Sequence, residues 1–198
     1  MLDGMSLRCA ISALSLCVVL GCQENRQHPL IEVAGTNPDA ADESSSNDTP
    51  DYDAFDQTPG AGWRVDAEAG KFLEAARAID DHVEQNANLE EWQRINLSFH
   101  AGQCYAMGAE TETAIERFRS AIRRDEPADF PMRWNAYVRA TIAFLEADRV
   151  ILLQSRAKIA EGPDPDANRP NLIVVDRLIA NFGKPYKVAY GDETPNNG

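Results

Sequence analysis

The chain is 198 residues long and acidic, with 32 Asp and Glu against 19 Lys and Arg and a formal net charge of −13. That balance argues against nucleic acid as a partner, because such binding rests on an excess of Lys and Arg that neutralises phosphates. At the N-terminus, Cys9 to Gly21 is free of charge and preceded by Arg8. It is much shorter than the roughly 20 apolar residues a spanning helix needs, so residues 1–21 read as a signal peptide.

The end of that run, Val19-Leu20-Gly21-Cys22, resembles the lipoprotein signal of bacteria. A small residue at Gly21 lets a peptidase approach the scissile bond. The resemblance implies that the Cys22 thiol takes a diacylglyceryl group and that Cys22 becomes the first residue of the mature chain. Two or more acyl chains suffice for stable anchoring, where one does not. Gln23 in place of an aspartate implies the outer membrane, with the chain facing the periplasm. Cys9 and Cys17 would leave with the signal, so Cys104 would remain as the one free thiol, expected as a small buried hydrophobe.

From Gln23 to Gly62 there are nine acidic residues and one arginine, a net of −8, in a segment rich in Ser, Asn, Thr and Pro. Such a composition buries too little to offset the entropy of ordering. Residues 22–62 are therefore expected to be a disordered acidic tether behind the lipid, reaching on the order of 35 Å. Tyr52 and Phe55 are its two large aromatic residues, and a docking motif is the alternative to a plain spacer there. From Trp63 to Gly198 the balance is 22 acidic to 17 basic residues. This part fits one domain over 63–190 and a disordered tail over 191–198.

Apolar residues recur there every three or four positions, the period of a helix with one buried face. Six helices are expected: Val65 to Val83, Leu89 to Ala106, Ala114 to Ile122, Trp134 to Leu145, Ile151 to Ile159, and Leu172 to Phe182. Pro127 and Pro131, Gly162-Pro163-Asp164-Pro165, and Gly183 with Pro185 punctuate them. The fold class is all-α, built of antiparallel helical hairpins.

Gly102, Tyr105, Ala114, Phe118 and Ala121, followed by Glu126-Pro127, resemble one tetratricopeptide repeat. In that family the small residues let two helices approach, the aromatic residues fill the space beside them, and the proline stops the second helix. The resemblance implies a short stacked array after the tether. The next hairpin reads as a degenerate copy, with Val138, Thr141, Val150, Gln154 and Ala157 at the matching positions. The last helix would cap the stack.

Catalytic and metal motifs are sparse. His28 lies in the tether, and His82 and His100 lie on different expected helices. His100 and Cys104 are four apart, which makes two donors and no complete metal site. No catalytic residue, metal or cofactor is assigned. Arg117, Arg119, Arg123, Arg124, Arg133 and Arg139 form the candidate binding group. Guanidinium forks suit carboxylates, and a groove lined by them would hold an acidic peptide, unless they pair with Glu112, Glu116, Asp125 and Glu126 nearby. These features lead to the expectation of a lipid-anchored periplasmic adaptor or assembly factor that binds another envelope protein through a helical surface. An immunity protein that blocks a toxic enzyme is the alternative, and an enzyme with dispersed catalytic residues comes third.

Overall fold

The computed structural model describes residues 51–191, and within that span every regular element is helical. The signal peptide, Cys22, most of the tether and residues 192–198 lie outside the described residues. A π-helical turn, Asp53–Gln57, is followed by α1 (Arg64–Glu68), α2 (Phe72–Gln85), α3 (Glu91–Met107), α4 (Thr111–Ser120), α5 (Trp134–Leu145), α6 (Arg149–Ala160), α7 (Pro165–Ala180) and α8 (Tyr186–Tyr190). Each helix from α2 to α7 packs against the next in sequence.

The helix expected from Val65 to Val83 is two helices. Gly70, at φ +76°, takes the left-handed conformation that closes a helix C-terminus, and the apolar period resumes beyond it. The Lys71 N–H then reaches back to the Asp66 carbonyl at 2.8 Å. The same turn recurs twice. Ala109 (φ +66°) precedes the bond from Glu110 N–H to Tyr105 O at 2.9 Å, and Ala147 (φ +57°) precedes that from Asp148 N–H to Ala143 O at 2.8 Å. The three left-handed residues stand 39 and 38 positions apart, so α1–α2, α3–α4 and α5–α6 are three successive helical hairpins of one design.

This interval corrects the expected register of the third hairpin. Shifted by 38 from Gly102, Tyr105, Ala114, Phe118 and Ala121 stand Ala140, Ala143, Leu152, Arg156 and Ile159, and of these Ala140, Ala143, Leu152 and Ile159 are buried. Val150, Gln154 and Ala157, given those roles on sequence alone, are exposed. A shift of 36 had left the residues between α4 and α5 two short, which turns α6 by about half a revolution at 100° per residue.

The same interval explains the largest departure from expectation. Shifted by 39, residues 52–63 stand where 91–102 stand in α3, so the segment assigned to the tether occupies the place of a first helix. It is broken after the π turn by Thr58-Pro59-Gly60-Ala61-Gly62. Tyr52, Phe55, Asp56 and Trp63 are all buried, so the folded part begins by residue 52 and not at 63. At Gly62 the chain doubles back so closely that a Cβ would lie 2.0 Å from the Phe55 carbonyl oxygen, which only glycine permits.

The core centres on Phe99, whose ring lies 5.1 Å from Phe118, 5.0 Å from Trp134 and 5.2 Å from Tyr137. Each such fully buried side chain contributes about 1.5–3 kcal/mol. Helix α7 begins at Pro165, earlier than the period suggested, because Asp164 accepts from the N–H groups of Asp166 and Ala167 and so caps it. It covers the last hairpin with Val174, Val175 and Leu178. Helix α8, absent from the expected set, turns back onto α3 and α7 and buries Tyr186 and Tyr190.

Candidate functional site

Asp56 is the most heavily engaged polar group of the N-terminal segment. Its side chain is wholly buried and accepts from Trp63 Nε1 at 2.9 Å and from His100 Nδ1 at 2.8 Å. Arg64 Nε donates to its backbone oxygen at 2.8 Å. Burial alone would raise the carboxyl pKa, but the charge on His100 and the hydrogen bonds from His100 and Trp63 outweigh it and hold the group at about 2. An ionised carboxylate only accepts, so Nδ1 of His100 carries a proton. Phe55 stacks flat on His82, 3.8 Å between ring centroids. Burial of the His82 ring pulls its pKa down, against the opposing charge of Asp56.

The arrangement resembles an acid–base pair but functions as an attachment. The Asp56 side chain has no exposure and that of His100 only 6%, so a substrate cannot approach the pair as folded. Nearby, Tyr52 OH accepts from Asn96 at 3.3 Å, and at the other end of α3 Gln103 donates to Tyr190 OH at 3.0 Å. Asn96 and Gln103 are two turns apart on one face of α3. That face is therefore covered at one end by the segment of Tyr52 and at the other by that of Tyr190, the first and last of the described residues' elements.

The repeat-type residues act as the physical argument required. A Cβ on Gly102 would stand 2.9 Å from the Phe118 ring, so the small residue sets the close approach of α3 and α4. Ala114, Phe118 and Ala121 are fully buried. Tyr105 is half-buried and donates to Asp80 Oδ2 at 2.8 Å, and the same carboxylate accepts from Arg117 Nε at 2.8 Å and Nη2 at 2.9 Å. Asp80 on α2 thus ties α3 and α4 to the first hairpin. On sequence alone Asp80, with Asp81 and Glu84, reads as part of a solvated helical face, and the structure corrects this for Asp80. Burial and the Asp80 bond push the Tyr105 pKa up to about 12. Burial also pushes the Cys104 thiol up to about 12. Among the described residues, no three His, Cys, Asp or Glu side chains could hold a metal ion.

The six arginines do not form one groove. Arg117 is committed to Asp80, and Arg119 pairs with Glu146 at 2.7 Å. Arg123 lies over the Phe130 ring, 4.4 Å from its centroid. Only Arg124, Arg133 and Arg139 converge, and they do so with Lys158, which the sequence reading missed because it lies on another helix. The pocket they share has a volume of about 420 Å³, and Glu126, Glu161, Asn135 and Ala136 complete its lining.

That pocket has a fixed frame. Glu126 accepts from the Asn135 backbone N–H at 2.7 Å, in the first turn of α5. The Asn135 side chain accepts from Arg123 N–H at 2.8 Å and donates to Arg123 O at 2.9 Å. Arg133 donates to the Ala128 carbonyl at 3.0 Å, and its N–H is held by Asn168 Oδ1 at 2.8 Å. Arg124, Arg139 and Lys158 make no ion pair among the described residues.

Comparison with family models, with curated proteins and with solved structures finds no match. The class defined by the fold is an all-α stack of helical hairpins. Its turns are spaced more widely than the 34 residues of a tetratricopeptide unit.

Proposed function

We propose that the chain is a lipid-anchored adaptor of the bacterial envelope, held by Cys22 at the periplasmic face of the outer membrane, that binds another envelope protein through its helical stack. The observation that carries this reading is the outer face of α6. Val150, Ile151 and Leu153 are 64%, 41% and 45% exposed, three large apolar side chains within one turn. Single exposed apolar residues are ordinary, whereas grouped ones mark interaction surfaces. The face of α3 between Asn96 and Gln103 is occupied by the chain's own tyrosines, so a partner is directed to the outside of the third hairpin. Anchoring is supported by the residues around Cys22, and the tetratricopeptide resemblance by the close packing of Gly102 on Phe118.

The test is crosslinking and affinity capture of the full chain from native membranes, followed by mass spectrometry. Cys22→Ala serves as the mislocalised control, and the pair Val150→Asp and Leu153→Asp as the surface variant. The expected result is one stoichiometric partner, lost in the control and in the surface variant. A partner retained by the surface variant would remove α6 from the reading, and no specific partner at all would remove the adaptor.

A further inference from the structure

We infer that the pocket between the α4–α5 loop and helices α5 and α6 is a binding site for a small phosphomonoester that also carries hydroxyl or ammonium donors. Arg124, Arg133, Arg139 and Lys158 supply four positive charges, and Glu126 and Glu161 supply two negative ones, a local excess of +2 in a chain whose net charge is −13. None of those four cations has an ion-pair partner among the described residues, whereas Arg117, Arg119, Arg156 and Arg169 each have one. Like charges held around one cavity repel each other, and an anion between them removes that repulsion.

The lining selects the class of anion. A phosphomonoester carries about −1.5 to −2 near neutral pH, which matches the excess, and guanidinium forks bind its oxygens in pairs. Ala136 is the one apolar residue of the lining, so an acyl chain has little apolar surface to bury against there. The Glu161 carboxylate makes no hydrogen bond or ion pair among the described residues and can accept from a donor on the ligand beside the phosphate. The site, of about 420 Å³, lies open to solvent. The site is also prebuilt, because Asn135, Asn168 and Glu126 fix the backbone beneath the cations and binding need not order it.

The same chemistry has two sources: a soluble ester such as a sugar phosphate, or the exposed phosphomonoester of a lipid headgroup. The experiment titrates the full chain carrying Cys22→Ala with glycerol phosphate, phosphoethanolamine and inorganic phosphate by calorimetry. In parallel, vesicles of phosphatidylcholine with and without phosphatidic acid are mixed with the protein and floated. The expected result is saturable binding with a Kd of about 1 mM or tighter, weakening as salt rises. Arg139→Gln with Lys158→Gln should weaken it at least tenfold, while Arg119→Gln, outside the pocket, leaves it unchanged. Glu161→Leu should remove the preference for the esters over inorganic phosphate. Binding in the titration assigns a soluble ligand, and flotation with phosphatidic acid alone assigns a headgroup. Failure of both arms, binding undiminished in the Arg139 and Lys158 variant, or tighter binding of a glutamate-rich peptide than of any phosphate would overturn the inference.

Discussion

Replacing Asp56 by alanine tests the claim that residues 52–63 belong to the folded unit. The carboxylate stands at about 2 in the folded chain against an ordinary value of 3.8. A shift of that size corresponds to about 2–3 kcal/mol of preference for the ionised form in the folded state. Alanine also leaves Trp63 Nε1–H and His100 Nδ1–H buried without their acceptor, at about 1–3 kcal/mol per group. Because part of that loss is the same interaction counted from the other side, the expected total is about 3–5 kcal/mol, typical of a broken buried pair. A domain holds only about 5–15 kcal/mol altogether.

The assay is urea unfolding of the full chain followed by tryptophan fluorescence, since the Trp63 indole donates directly to Asp56. The pH dependence has a definite sign. A carboxyl with a depressed folded pKa contributes its stability fully above its unfolded value and loses it as pH falls through the folded value. The gap between wild type and Asp56→Ala should therefore be complete from about pH 5 to 7 and narrow by about 2–3 kcal/mol between about pH 4 and 2. A loss below about 1 kcal/mol, within the range of an ordinary surface substitution, would refute the reasoning. So would a gap that stays constant across that acid range.

Three further outcomes follow from the packing. Gly102→Ala gains helix propensity of about 1 kcal/mol, yet its Cβ would meet the Phe118 ring at 2.9 Å; overpacking at about 1–3 kcal/mol should leave a net loss, read from the denaturation midpoint. In a chain with Cys9, Cys17 and Cys22 replaced by serine, Cys104 should be inert to a thiol reagent at pH 8, because burial holds its pKa at about 12 and the thiolate is the reactive form; it should react fully in denaturant. A double-mutant cycle on Asp80→Ala and Arg117→Ala should show a coupling of about 1 kcal/mol, at the upper end for partly exposed pairs because the contact is bidentate. Coupling near zero would mean that Asp80 does not tie the first hairpin to the second.

The helical class was readable because the 3.6-residue period of apolar residues is a property of short windows, as along Trp134 to Leu145. The close approach at Gly102 was readable for the same reason: its partner Phe118 lies in the next helix of one hairpin. A tight turn near Ala147-Asp148 was legible too, but the left-handed conformation shared by Gly70, Ala109 and Ala147 was not. Alanine gives no sign that it will take a positive φ, and the conformation is imposed by the helices on either side. Nor was the role of Tyr52 to Trp63 readable, since Pro59, Gly60 and Gly62 are the usual marks of a linker. Of the candidate arginines, local sequence placed all six together, but Asp80 and Glu146 claimed two and Lys158 joined from another helix.

Sequence by itself determined that the described residues are all-α and which residues let α3 and α4 meet, because those properties depend on neighbours within a turn or one hairpin. Tertiary structure alone decided where folding begins, which cations share a pocket, and which face of α3 is covered. Each of these depends on contacts between residues far apart in the chain, such as Asp56 with His100 and Gln103 with Tyr190, and no local pattern encodes them.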